Sequence, residues 1–346
     1  MLQNFNLQTL NTLQVPCTAK YYTEITSTYQ LLQVLETEER TKEKHWILGG
    51  GSNTLFVSDF FDGIVLNIAI KGIKILKEND ETIEVQVGAG ESWDDLMQKA
   101  IQEKRWGIEN LVAIPGKVGT SAVSNIGAYG QEVCEVIHEV IGVNLETKTL
   151  QKLSNEECNF GYRNSIFKTE LEGKFIITHI IFKLKKIDKN YAFNTEYADI
   201  QKAFSEGKIN FEALSSEEKL QILTTTITEI RMNKLPDWRT TGTAGSYFKN
   251  PEIWLPQWEN LHQKFPELKG FLQANETMKL AAGQLIELCG FKGHQEGKVK
   301  ISEKHALILI NEWGNGAEIK AFAEKIQAAV LEKFGVMLEP EVRHCG

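Results

Sequence analysis

The sequence has no tract of basic residues, no Cys-x-x-Cys pair and no Gly-x-Ser-x-Gly elbow. It also has no apolar run near the ~20 residues that a helix needs to cross a bilayer. Each absence removes a class of function. A chain of net charge −8 without a basic patch has little with which to neutralise a phosphate backbone or an anionic membrane, so neither is expected as a partner. The first nineteen residues carry no charge and no basic leader, which argues against secretion and predicts a cytoplasmic protein. Five cysteines, Cys17, Cys134, Cys158, Cys289 and Cys345, are scattered and odd in number, which predicts free thiols. His344 beside Cys345 is half of a metal-ligand pattern, but no second pair completes it, so no metal is expected. The missing elbow disfavours a serine hydrolase. Neither repeats nor low-complexity linkers occur, and nothing points to an obligate protein partner.

What is present describes a globular α+β chain. Its 346 residues, 42% of them hydrophobic, exceed what one core usually supports, so two or three domains are expected. Leu31, Leu32 and Leu35 predict one amphipathic helix over 28–40. Short strands are predicted at 46–48, 55–57, 63–68 and 73–76, and alternation of Ile83, Val85 and Val87 predicts another. Ser92 and Asp95 have capping-box spacing ahead of a helix with Leu96, Ala100 and Ile101 on one face. Ile137, Ile141, Val143 and Leu145 alternate as in a strand, and 175–184 reads the same way. Ser215 and Glu218 can cap a helix bearing Leu220, Leu223, Ile227 and Ile230, which Pro236 stops. A later helix over about 317–334 has Asn315 and Glu318 to cap it and Gly335 to end it. A domain boundary is expected just before the Ser215 helix.

Two stretches belong to none of these elements. Residues 114–130, IPGKVGTSAVSNIGAYG, hold glycines that let a backbone come close to a ligand, and Thr120, Ser121, Ser124 and Asn125 can hydrogen-bond beside it. An ordinary long surface loop would read similarly. Gly49-Gly50-Gly51-Ser52-Asn53 joins two strand segments. A Rossmann fingerprint needs its glycines to open a helix and a P-loop ends in Gly-Lys-Ser or Gly-Lys-Thr, so neither fits. Successive amides in a glycine turn still make an anion-binding concavity, which suits a phosphate-bearing ligand.

Paired loops of this kind resemble the FAD-binding domain of the vanillyl-alcohol oxidase, or PCMH-type, superfamily of flavoproteins. The motifs LGGGSN at 48–53, VGAGESW at 87–93, ENLVAIPGKVGTSAVSNIGAYG at 109–130 and FGYRNSIFK at 160–168 resemble the UDP-N-acetylenolpyruvoylglucosamine reductase family. GTAGSYFKNP at 242–251, KLAAGQLIELCGFKG at 279–293 and LEPEVR at 338–343 continue that resemblance in order, over most of the chain. The segment NTEYAD at 194–199 resembles the closing loop of the family's longer, type I branch. The resemblance implies a two-part PCMH-type FAD-binding region, 1–75 and 76–214, followed by a C-terminal α+β substrate-binding domain, 215–346. It implies an FAD-dependent oxidoreductase with NADPH as co-substrate. The reaction would reduce UDP-N-acetyl-3-O-(1-carboxyvinyl)-glucosamine to UDP-N-acetylmuramate for peptidoglycan. FAD would be held non-covalently by Gly49, Gly50, Gly51, Ser52 and Asn53, and by Pro115, Gly116, Gly119, Thr120, Ser121, Asn125, Gly127, Ala128 and Tyr129. A flavin oxidase of the same superfamily and a non-catalytic nucleotide-binding protein are the rival readings. Against the first, the triple-glycine loop lacks the histidine to which some oxidases attach flavin.

Three residues are the catalytic candidates. Arg163 offers a planar fork matched to a carboxylate, though by residue type alone a surface arginine is the commoner case. Ser246, among small neighbours, can pass on a proton, and a turn serine would look the same. Glu341 carries no local mark. The resemblance makes Ser246 the general acid and gives Arg163 and Glu341 the stabilisation of an enolate-like intermediate, Glu341 as a protonated acid. It adds Lys234, Arg231, Asn250 and Tyr197 as substrate contacts, with Lys234 on the diphosphate. Charge at a helix C-terminus explains Lys234 and Arg231 equally well.

Overall fold

The computed structural model describes residues 1–186, 191–273 and 275–346. Contacts divide the chain into two compact units that alternate along the sequence. The first comprises 1–4, 20–50 and 62–233; the second comprises 5–19, 51–61 and 234–346.

The first unit is built on an antiparallel sheet whose order is Thr149–Ser154, Ile137–Asn144, Phe175–Lys186, Thr82–Gly88 and Ile73–Glu78, with Arg105–Trp106 paired to Phe175–Lys186. The central strand carries Phe175, Ile176, Ile177, Ile180 and Phe182 in nearly continuous burial, as a strand covered on both faces should. The helix Trp93–Gln102 starts where Ser92 accepts the Asp95 amide, and Trp93 packs edge-on against Phe182. This unit also holds most of a four-stranded sheet ordered Leu2–Asn6, Thr18–Ile25, Phe60–Ile68 and His45–Leu48.

Two local expectations change. The helix expected over 28–40 is two helices, Thr28–Leu35 and Glu38–Lys42, because Thr37 is extended and its hydroxyl caps the second by accepting the Arg40 amide. Residues 114–130 are not all loop, since Val118–Val123 is a short helix inside them. The helix predicted from Ser215 runs Ser216–Lys234, with Ser215 and Glu218 exchanging side-chain and backbone hydrogen bonds. It clusters with the first unit, whereas the sequence division set it at the head of the third segment. Leu223 and Ile227 join the core that contains Phe204 and Phe211, and burying each is worth roughly 1.5–3 kcal/mol.

The second unit has an antiparallel sheet ordered Gly242–Ser246, Ile308–Asn311, Val299–Ile301 and Gln295–Glu296, and a smaller one of Glu252–Trp254, Thr277–Leu280 and Gly270–Leu272. Arg343–Cys345 pairs in parallel with Thr54–Phe56. The helix Gly316–Phe334 has both halves of the Asn315/Glu318 capping box, ends at left-handed Gly335, and packs Ile319, Phe322, Ile326 and Val330 inward. All five cysteines are free thiols. Among the described residues no group of His, Cys, Asp or Glu could hold a metal, and no helix is long and apolar enough to cross a membrane.

Candidate active site

Within the first unit the two glycine stretches touch. A Cβ on Gly50 would lie 2.8 Å from Gly116 Cα and 3.3 Å from the Lys117 nitrogen, and one on Gly49 would collide with the Thr120 methyl. A Cβ on Gly119 would strike Ala89 at 2.6 Å. Glycine is required here for space, since only Gly116 of these four has a left-handed φ. Among the described residues the amides of Gly50, Gly116 and Lys117 find no acceptor. Close backbones with unspent N–H groups are the donor set that a pyrophosphate takes, so these residues fit the FAD diphosphate.

Not every polar group of the second stretch points to a ligand. The Thr120 hydroxyl donates to the Lys117 carbonyl and the buried Ser121 hydroxyl to that of Val118, both 2.7 Å, within the Val118–Val123 helix and its cap. Lys117 turns its ammonium inward to Asn67 Oδ1 and the Ile68 carbonyl, where burial lowers its pKa, helped by Lys71 and opposed by Glu24. Asn125 is fully buried, accepts the Cys134 amide, and donates to Glu132 and to the Gly161 carbonyl. It ties the glycine stretch to the turn that carries Arg163.

That turn is closed by reciprocal backbone bonds between Gly161 and Asn164, with Arg163 itself left-handed at φ 52°. Its guanidinium donates to the Gly127 carbonyl at 2.7 Å and lies 5.3 Å from the Tyr162 ring. A Cβ on Gly127 would come within 3.0 Å of Arg163 Nη1. Arg231, near the end of the Ser216–Lys234 helix, donates to the Ala113 carbonyl at 3.2 Å. Burial pulls its pKa down, electrostatic attraction to Tyr129 opposes this, and the Arg163 charge adds to the lowering. Tyr129, left-handed at φ 49°, has its own pKa raised by burial against the pull of Arg231, and its ring meets Tyr197 edge to face at 5.1 Å. The first unit thus gathers Arg163, Arg231, Tyr129 and Tyr197 beside Gly127. Two neighbouring guanidiniums make a place for an anion.

In the second unit, Ser246 ends the strand Gly242–Ser246 at an irregularity that follows Thr243, with Gly245 left-handed before it. The Ser246 hydroxyl is partly exposed and bonds to no described residue. The next residues pair with the end of the chain, since the Glu341 amide donates to the Tyr247 carbonyl and Lys249 to that of Glu339. The stretch after Ser246 and the one that carries Glu341 are therefore held side by side. Asn53 braces this region: its side chain donates to the Glu341 carbonyl at 3.1 Å, and its own carbonyl accepts the Arg343 amide. That leaves its backbone amide for a ligand. Gly51 is left-handed, and a Cβ there would strike the Leu10 carbonyl at 1.9 Å. Asn250 spends its carbonyl oxygen on the Ala282 amide, at the start of the helix Ala282–Leu288, leaving its NH2 for other partners. Lys234 is the last residue of its helix. His344 hydrogen-bonds the Tyr247 hydroxyl at 3.0 Å and Cys345 is buried, so the suspected ligand pair is part of the packing.

Glu109 and Asn110 have no role in the reading of the sequence, although both stand in the motif at 109–130. They are 2% and 0% exposed. A polar pair directly ahead of a glycine stretch was the available signal, and nothing local distinguished it from a solvated one.

Residues 237–345 match the profile of the UDP-N-acetylenolpyruvoylglucosamine reductase C-terminal domain, and 19–148 that of an FAD binding domain. The chain is 41% identical to a UDP-N-acetylenolpyruvoylglucosamine reductase of Flavobacterium johnsoniae, over 98% of each protein. It is 40% identical to that of Dechloromonas aromatica, over 98% of this chain and 97% of the relative. Its fold matches the crystal structure of the Thermus caldophilus reductase with a TM-score of 0.67 at 21% identity, covering 98% of this chain and 97% of that one.

Proposed function

The chain belongs to the UDP-N-acetylenolpyruvoylglucosamine reductase family, and we propose that it performs that reduction with FAD bound non-covalently and NADPH as reductant, in the cytoplasm. The product, UDP-N-acetylmuramate, feeds peptidoglycan synthesis. Bound FAD supplies the relay of two electrons from NADPH to the vinyl C3 of the enolpyruvyl group.

The protein's own residues hold and steer. Amides of Gly50, Gly116 and Lys117 take the pyrophosphate oxygens. Arg163 meets the substrate carboxylate. As C3 gains hydride, negative charge collects on C2 and that carboxylate, and a guanidinium already held by the Gly127 carbonyl need not reorganise to meet it. Glu341 shares this role through its carboxyl group. Ser246, whose hydroxyl is committed to no described residue, delivers the proton to C2 and completes the lactyl ether. Arg231, Lys234, Asn250 and Tyr197 serve as substrate contacts. Lys234 takes the diphosphate.

The observation that carries this reading is the juxtaposition of Arg163 and Arg231 beside a glycine stretch with unspent amides. Purified protein should be yellow, release FAD on denaturation, and consume NADPH in step with added enolpyruvyl substrate. Colourless protein that neither binds added FAD nor oxidises NADPH would end the proposal. Oxygen consumption driven by a sugar or lactone in place of NADPH would favour the oxidase alternative.

A further inference from the structure

Glu109 and Asn110 open the 3-10 turn Glu109–Leu111. Polar side chains stay at such depth when their hydrogen bonds are met, and both of these reach the same segment. The Glu109 carboxylate accepts from the Gly107 amide and the Tyr191 hydroxyl, each at 2.7 Å, while Trp106 stacks on the Tyr191 ring. The Asn110 carboxamide donates at 2.8 Å to two carbonyls, those of Tyr129 and Asn194. Asn194 answers from the other side, its Nδ2 donating to the Gly130 carbonyl at 2.8 Å. Gly130 is left-handed, and a Cβ there would sit 2.7 Å from that nitrogen. Three residues on, Tyr197 rests against Tyr129.

The segment is thus gripped at 191, 194 and 197. We propose that Asn110 is a positioning residue whose carboxamide docks 191–197 onto the second glycine stretch, so that Tyr197 stands beside Tyr129. This rests on the reading that Tyr197 contacts the substrate. One NH2 group serving two carbonyls from segments distant in sequence is something asparagine can do. Leucine fills the space without donors, and aspartate would set a charge against two carbonyl oxygens. The Asn110 Oδ1 has no partner among the described residues, so the side chain is fixed through its nitrogen.

The test uses FAD-loaded Asn110→Leu, with Asn194→Ala as a milder variant that removes only the bond to Gly130. Cleavage within 191–197 by a broad-specificity protease should quicken by roughly five- to tenfold for each hydrogen bond lost, while 175–186 resists as in wild type. The KM for the enolpyruvyl substrate should rise by a similar factor, and reduction of the bound FAD by NADPH should be unchanged. Wild-type cleavage within 191–197 in both variants overturns the proposal. So does an unchanged KM in Asn110→Leu when Tyr197→Ala itself raises KM. If Tyr197→Ala leaves KM unaltered, the substrate reading of Tyr197 fails by itself, and the cleavage result still decides the docking.

Discussion

Replacing Gly50 by alanine adds one methyl group, and the structure says where it goes. Gly50 has no left-handed φ, so the backbone accepts alanine and only space objects. The new Cβ would stand 2.8 Å from Gly116 Cα, 3.2 Å from the Gly116 carbonyl carbon and 3.3 Å from the Lys117 nitrogen. Carbon atoms rest at about 3.5–4.0 Å, so the 115–117 backbone must withdraw by roughly 0.7–1.2 Å. No flexible side-chain tip is there to yield. An N–H···O contact made near ~2.9 Å and stretched by that distance leaves the bonding range. A hydrogen bond to a charged acceptor contributes about 1.5–3 kcal/mol, so losing one phosphate contact should weaken FAD about 10- to 100-fold. Titration of apoprotein with FAD, followed by flavin fluorescence, measures this. Thermal unfolding of the same apoprotein separates it from general damage. Gly283→Ala is the control: its Cβ would meet Leu307 at an ordinary 3.6 Å, inside a helix where alanine is favoured over glycine by ~1 kcal/mol. Gly50→Ala apoprotein that unfolds like wild type and binds FAD with the wild-type Kd would refute the assignment of this cradle.

Ser246→Ala should leave FAD binding and NADPH-driven flavin reduction intact, but slow flavin reoxidation by the enolpyruvyl substrate by about 100- to 10,000-fold; Ser246→Cys should recover part of the rate. Anaerobic rapid mixing of pre-reduced protein with substrate reads that step, and a wild-type trace for the alanine variant removes Ser246 from the chemistry. Lys234→Ala should raise the KM for substrate with flavin reduction untouched; an unchanged KM restores the helix-terminus explanation of that cation. His179, in the central strand, has its pKa lowered by burial. Because the folded value lies below the unfolded one near ~6.5, the unfolded chain holds more protons as pH falls through that window. Its contribution to stability is therefore whole above ~6.5 and declines under acid, by at most about 1.4 kcal/mol per pH unit. Urea midpoints of wild type and His179→Gln at pH 7.5 and 5.5 should differ in their pH dependence, and parallel behaviour would show that another group titrates.

What the sequence disclosed was local chemistry. The Ser92, Ser215 and Asn315 helix starts and the Gly335 stop each depend on residues within one turn, and each formed where those residues stand. The glycine stretches were visible because glycine marks close approach, though the Val118–Val123 helix inside one of them was hidden. Six residues of small and β-branched type carry no helical stripe, and tertiary bonds such as that from the Gly119 amide to the Ala89 carbonyl help hold it. Thr37 ended a helix by capping the next, a signal hidden because Glu36, Glu38, Glu39 and Arg40 around it are all good helix formers. The alternation of the two units could not be read at all. It depends on pairings such as Arg343 with Thr54, and three-residue strands have too few positions to display a period. Glu109 and Asn110 were illegible for the same reason, because their partners Tyr191 and Asn194 lie far along the chain.

The brace between Asn53 and the C-terminal strand also bears on how the protein is born. Asn53 and Glu341 are 288 residues apart. At a translation rate of about 5–20 residues per second, the Thr54–Phe56 strand waits roughly 15–60 s for its parallel partner to leave the ribosome. Throughout that interval its edge is an open template for any extended peptide nearby. The second unit therefore stays incomplete until Arg343–Cys345 has been made, and its open edge is exposed until then. A gene fragment encoding only 234–346 would prolong that period indefinitely, because it lacks the strand that Arg343–Cys345 must find.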